Sequence, residues 1–130
     1  MSASPLMRWA SGTFPGQLVS SKNRRRIVGF KTGRPRLIKS KPALDYEKAA
    51  AKEVWRGAKG IEGPVSLTAH VFYSTRRPDL DVQLLMDVLQ KARVILDDRQ
   101  IHQIIATKYV DKVNPRVEWQ IRSIPEPRHA

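Results

Sequence analysis

Residues 65–100 read VSLTAHVFYSTRRPDLDVQLLMDVLQKARVILDDRQ, and the fold turns on how this stretch divides. From Val65 to Tyr73 the apolar residues alternate. Val65, Leu67, Ala69, Val71 and Tyr73 fall on one side; Ser66, Thr68, His70 and Phe72 fall on the other. A period of two is that of a strand with one buried face. Pro78 cannot continue a central ladder, so the strand ends through Ser74-Thr75-Arg76-Arg77. Asp81 can cap a helix over 82–93, where Leu84, Leu85, Val88, Leu89 and Ala92 make an apolar stripe. Val94-Ile95-Leu96 leads out of that helix to Asp97-Asp98.

The stretch also holds Asp79, Asp81, Asp97 and Asp98, four of twelve acidic residues in a chain of formal net charge +12. Carboxylates packed together repel unless a cation lies between them, and Mg²⁺ is the usual choice for all-oxygen ligands. Asp79 and Asp81, two apart, project to one side of an extended segment. One helix later Asp98 approaches again, and a return to the same edge brings all three carboxylates together. By spacing alone the plainer reading is preferred: Asp81 as a helix cap, Asp79 as a partner of Arg76 or Arg77, and Asp97-Asp98 as a turn. DxD is short and often occurs by chance.

Outward from this stretch the pattern continues. Upstream, Ser40 with Pro42 starts a helix over 42–58, with Tyr46, Ala50, Val54 and Ala58 at core-facing spacing and Gly57 and Gly60 ending it. Trp55 reads as core. Ile27-Val28-Gly29-Phe30 and Arg36-Leu37-Ile38 read as a hairpin around Lys31–Pro35. Leu18 and Val19 belong to a first strand, after a loose start over 1–13. Downstream, 101–109 is ambiguous between helix and strand; strand is the choice, for its β-branched density. Arg116 to Ile124 is a last strand with Val117, Trp119 and Ile121 on one face, and 125–130 frays.

At 130 residues the chain reads as one domain. It has no cysteine, which excludes disulfides and thiolate metal sites, and its three histidines show no zinc spacing. His70 reads as a bystander. No apolar run reaches membrane-span length, and no secretory leader is apparent, so a cytoplasmic protein is the expectation. The charge is lopsided. Residues 1–44 hold no Asp or Glu and ten basic residues, among them Lys22, Arg24, Arg25, Arg26, Lys31, Arg34 and Arg36. That asymmetry marks a polyanion partner, with nucleic acid ahead of a membrane surface. A basic hairpin that contacts phosphates is favoured over a solvated loop.

The run RRPDLDVQLLMDVLQKARVILDDRQI, with Lys108 ten residues past Asp98, resembles the RusA-type Holliday junction resolvases. In that family a strand ends in D-L-D, a helix carrying an Asp follows, and D-D-x-Q-[IV] closes the motif. The likeness is firm over 76–108 and looser upstream, at SSKNRRRIV and GRPRLIKS. It implies an α+β domain with a mixed sheet packed by two main helices, acting as a homodimer. It implies Asp79, Asp81 and Asp98 as catalytic metal ligands for Mg²⁺, with Mn²⁺ able to substitute. Asp97 and Asp87 are then supporting residues. No nucleotide cofactor is expected.

The implied activity is a Mg²⁺-dependent endonuclease that resolves four-way junctions in recombination and repair. Arg76, Arg77 and Arg99 contact DNA or hold the carboxylates. The helix 82–93 and the strand around Val117 and Trp119 are candidate dimer surfaces, though the core claims them equally well. Two departures stand out: Val82 and Leu85 occupy the places of a family Asn and Lys, with Lys91 or Lys108 as substitutes for the lysine. A divergent, phage-derived branch explains them, and so does lost activity. The rival readings are a DNA-binding protein without nuclease chemistry and a metal nuclease acting on duplex or flap DNA.

Overall fold

Every odd-numbered residue of the strand Val65–Tyr73 is buried, so the alternation in the sequence is the alternation of the sheet. The computed structural model describes residues 8–20, 25–28, 33, 36–54 and 60–126. In chain order its elements are β1 (Trp9–Pro15), β2 (Arg25–Val28), β3 (Arg36–Lys39), α1 (Lys41–Ala51), β4 (Val65–Tyr73), α2 (Gln83–Lys91), β5 (Ile101–Val110) and β6 (Arg116–Ser123). A 3₁₀ turn, Asp98–Gln100, precedes β5. The main sheet has the order β1-β6-β4-β5, with β4 parallel to β5 and antiparallel to β6, and β2 and β3 form a separate two-stranded sheet. This is the expected α+β domain with a mixed sheet and two helices.

The core lies between the odd face of β4, the Val117, Trp119 and Ile121 face of β6, and the two helices. α2 contributes Leu84, Leu85, Val88 and Leu89, all buried. α1 contributes Ala43, Tyr46 and Ala50, and Ser40 caps it by accepting from the Ala43 amide at 3.4 Å. On the opposite face of the sheet, Phe72 is sandwiched between the Tyr109 ring and the Arg116 guanidinium, 3.8 Å from its centroid. His70 shares a hydrogen bond with the Tyr109 hydroxyl there.

Four expectations are corrected. The first strand is Trp9–Pro15, within the stretch read as loose, and Leu18 and Val19 lie beyond it. Only Phe14 of that strand is fully buried, so its pairing with β6 holds it in place and no hydrophobic period advertises it. Gly12 is required there, since a Cβ would come within 2.8 Å of the Trp119 ring. Secondly, α1 stops at Ala51, where Glu53 N–H turns back to Ala50 O; the buried stripe has reached its last member. Ala58, Gly57 and Trp55 lie outside the described residues.

Thirdly, α2 ends at Lys91 because Arg93 takes φ 62 and closes a Schellman motif, Arg93 N–H to Gln90 O and Val94 N–H to Leu89 O. Lastly, the apolar stripe of α2 and the Val117–Trp119 face are consumed by the chain's own core, which leaves neither as a dimer surface.

Candidate active site

Tyr73, the last residue of β4, is buried, and its hydroxyl reaches past the strand end into the loop that follows. It donates to Asp79 O at 3.1 Å and accepts from the Asp81 amide at 3.4 Å. Burial pushes this phenol above its ordinary value, which keeps the donating proton in place. Lys108 stands beside it on β5, in register with Val71 and so on the same face of the sheet. Its ammonium lies 5.8 Å from the Tyr73 ring centroid and donates to Arg76 O at 2.6 Å and to Pro78 O. Tyr73 and Lys108 thus anchor four backbone groups around Asp79 and Asp81: the Arg76, Pro78 and Asp79 carbonyls and the Asp81 amide. In the sequence Tyr73 reads only as a member of the buried face of the strand.

Asp79 is exposed and Asp81 half-buried, and both line an open cavity of ≈ 670 Å³ together with Gln17, Ser20, Pro42 and Arg77. Asp81 Oδ1 also accepts from Gln83 N–H at 3.0 Å, so it does cap the first turn of α2 as well as facing the cavity. Arg76 and Arg77 are exposed at the same loop. The hairpin of β2 and β3 forms as expected, but the side chains of Arg25, Arg26 and Arg36, and Lys22, Arg24, Lys31 and Arg34 entirely, lie outside the described residues.

The second acidic pair is built differently. Asp97 caps the 3₁₀ turn, its carboxylate accepting from Arg99 N–H at 2.9 Å and pairing with the Arg99 guanidinium at 3.1 Å. The Arg99 amide first, and then its guanidinium, hold the Asp97 carboxyl below its ordinary value. Asp98 is exposed, and its amide donates to Gln90 Oε1 at 3.0 Å. Gln100 buckles the segment. Its Oε1 accepts from the Leu96 and Asp97 amides, and its Nε2 donates to Ile61 O and Gly63 O, each within 2.8 Å. The signal for Gln100 in the sequence is a capping box, Asp97-x-x-Gln100, a pattern absent from the expectations above.

These two halves do not meet within one chain. Among the described residues no group of three or more His, Asp or Glu is placed to hold a metal. Asp79 and Asp81 lie before the first turn of α2, and Asp98 is bonded to its last turn. Nine residues of helix separate them, about 13 Å at ~1.5 Å per residue. Oxygens sharing one Mg²⁺ stand within about 4 Å of one another. The expectation of a common edge fails because β5 is parallel to β4, so the chain must run back to where β4 begins before β5 can start.

The other expected residues are placed as follows. Asp87 is half-buried in the middle of α2. Lys91 pairs with Glu47 at 3.1 Å on the outer surface. Leu85 is fully buried, so a lysine at that position has no counterpart here.

A family model for the endodeoxyribonuclease RusA matches residues 15–122, from the end of β1 through nearly all of β6. The chain belongs to the RusA endodeoxyribonuclease family. A comparison with curated proteins finds no match. The matched span takes in the RusA-type D-L-D loop, the Asp97–Gln100 buckle and the basic hairpin together. RusA-family proteins are endonucleases of the Holliday-junction-resolving type and are generally divalent-metal dependent. The donor chemistry here fits such a cation in part. Asp79 and Asp81 offer two hard carboxylates on one cavity, and the third ligand that the sequence expects, Asp98, stands at the far end of α2.

Proposed function

We propose that this chain is a Mg²⁺-dependent endonuclease that nicks branched DNA, four-way junctions foremost, and that it works as a homodimer whose two sites are each shared between chains. Asp79 and Asp81 of one protomer and Asp98 of the other would hold the cation. The observation that carries this reading is the separation of Asp98 from Asp79 and Asp81 by the length of α2. A single chain has both halves of a site at opposite ends. A two-fold copy can supply the missing half to each and yields two equivalent sites, which is what symmetric nicking of a junction needs.

A bound divalent cation supplies charge neutralisation at the phosphodiester and a water made nucleophilic near neutral pH. The chain's own residues do the rest. Tyr73 and Lys108 fix the backbone that carries Asp79 and Asp81, so the carboxylates are held before substrate arrives. Gln100 and Asp97 do the same for Asp98. Arg76 and Arg77, exposed beside the cavity, offer guanidiniums to the flanking phosphates. The basic residues of 22–41 grip the junction arms.

The test is a cleavage assay on four-way, three-way and linear DNA, with Mg²⁺ and with EDTA, run on the wild type and on Asp79→Asn, Asp81→Asn and Asp98→Asn. Cleavage of the four-way substrate that needs Mg²⁺ and is lost in each variant, with DNA binding retained, is the expected result. Wild-type rates from Asp79→Asn and Asp98→Asn overturn it. Binding without any cleavage points instead to a DNA-binding protein that has lost the chemistry, the role in which Val82 and Leu85 would matter most.

A further inference from the structure

The cavity beside Asp79 and Asp81, at ≈ 670 Å³, is of the size that encloses a small organic ligand, roughly 300–1,000 Å³. The loop after β4 supplies its charged groups, the two carboxylates and Arg77. The rest of its wall has a different chemistry. Val19, Pro42 and Pro78 give it apolar surface, and the polar residues among them, Gln17 and Ser20, are neutral.

Gln17 is held in one orientation. Its Oε1 accepts from the Ser74 amide at 2.8 Å and from the Ser74 hydroxyl at 2.7 Å. A backbone N–H can only donate, so the atom at Ser74 is the oxygen, and the side-chain NH₂ is left over. Among the described residues that NH₂ has no partner, and Gln17 lines the cavity. Ser74 follows Tyr73, whose hydroxyl binds the backbone of Asp79 and Asp81. Two adjacent residues at the end of β4 therefore brace both walls, Tyr73 the acidic one and Ser74 the neutral one. The amide donor and the carboxylates are fixed relative to each other.

Resting on the nuclease reading above, we propose that the neutral wall is a nucleobase pocket. It takes one unstacked base of the nucleotide whose phosphate meets Asp79 and Asp81, and Gln17 Nε2 donates to an acceptor on that base. Apolar surface with neutral donors suits the faces and edge of a base. A phosphate calls for charged partners, and the cavity offers those on its other side, at Arg77. Proteins that draw a base out of its stack hold it in this way, between apolar side chains and with hydrogen bonds to its edge. The unstacking costs least where the base is already poorly stacked. At a branch point the continuous stack of the duplex is interrupted, so a base there is released more easily than one inside linear DNA. The pocket thus gives branched DNA an advantage that phosphate contacts alone do not. Gln17 is its specificity-determining residue, since a base is held only if it turns an acceptor to the amide.

The test uses the full chain and four-way junctions that carry 2-aminopurine at each position beside the branch point in turn. In EDTA, binding is read without chemistry. At one position the fluorescence is expected to rise on binding and to resist quenching by acrylamide, because the base is out of its stack and covered. Gln17→Glu keeps an oxygen for Ser74 and removes the NH₂; it should still bind the junction and lose the shielding. Gln17→Met, neutral and of similar length, repeats the comparison should the glutamate variant fold poorly. With Mg²⁺, an abasic nucleotide at the same position should slow the wild type by about fivefold or more, at least the value of one neutral hydrogen bond. Gln17→Glu should be slowed on the intact junction and gain no further loss from the abasic one, since partners in one contact do not act independently. The added charge is present with both substrates and cancels from that comparison. No rise at any position, shielding that survives in both variants, or losses that multiply would each overturn the pocket. A shielded base without any cleavage by the wild type leaves the pocket standing and removes the nuclease reading; cleavage without a shielded base does the reverse.

Discussion

Replacing Gln100 by alanine removes four hydrogen bonds at once: two accepted from the Leu96 and Asp97 amides and two donated to Ile61 O and Gly63 O. Each is a neutral pair of ordinary length, with a net value of about 1 kcal/mol. The side chain is half-buried, and water recovers part of the loss, so the expected cost is about 2–4 kcal/mol. At about 2.1 cal/mol/K per residue, 130 residues unfold with an entropy near 0.27 kcal/mol/K, which converts this cost into a fall in Tm of about 7–15 °C. Junction cleavage measured well below that Tm is also expected to fall, since the backbone that presents Asp98 loses its buckle.

Gln100→Glu sharpens the test. It keeps the acceptor but sets a carboxylate against the two carbonyls that Nε2 now serves, so its folded pKa is raised above the unfolded value of about 4.3. The variant is therefore relatively most stable below that pH and loses stability as pH rises through the raised value. Thermal melts of both variants across pH 4–8 are the assay. A drop of less than about 2 °C for Gln100→Ala, or a Gln100→Glu variant whose melting ignores pH, would refute the buckle.

Three further outcomes follow from the same geometry. Arg93 holds a left-handed conformation that costs a non-glycine residue about 1 kcal/mol, so Arg93→Gly is expected to raise unfolding stability by about that much in urea titration. Asp97 and Asp111 are both held below the ordinary carboxyl value of 3.8, the first by the Arg99 amide and guanidinium, the second by the Asn114 amide and the Arg116 guanidinium. Their contribution is present above that value and lost as pH falls through the lowered ones, so acid melting curves of Asp97→Asn and Asp111→Asn should flatten below about pH 4. Arg24, Arg25 and Arg26 changed together to alanine should weaken binding to all DNA sequences alike and lower the salt slope by about 0.9 per phosphate contact removed; an unchanged slope takes the hairpin out of the interface.

Much of the fold was legible because β4, α2 and β6 bury clean periodic faces, and residues such as Val71, Leu89 and Ile121 have nowhere else to go. β1 was not, because Trp9–Pro15 depends on Val117 and Trp119 from the far end of the chain. The acidic residues were legible as types and spacings. Their failure to converge was not, because it depends on the direction of β5 relative to β4, and the side-chain pattern of 101–110 is the same for parallel and antiparallel neighbours. Tyr73 was hidden for a related reason. Its ring belongs to the core and only its hydroxyl to the site, and an alternation pattern registers the ring alone.

The shared site is tested most directly by mixing two dead chains. Asp79→Asn and Asp98→Asn are each expected to be inactive alone, since every site in either homodimer lacks one ligand. Exchanged by co-expression or joint refolding, half the dimers are mixed, and each of these carries one site with Asp79 from one chain and Asp98 from the other, about a quarter of the wild-type complement of sites. Mg²⁺-dependent nicking of a four-way junction should return in the mixture, with single nicks in place of paired ones. A mixture as inactive as its components, with mixed dimers demonstrated to be present, would contradict the account.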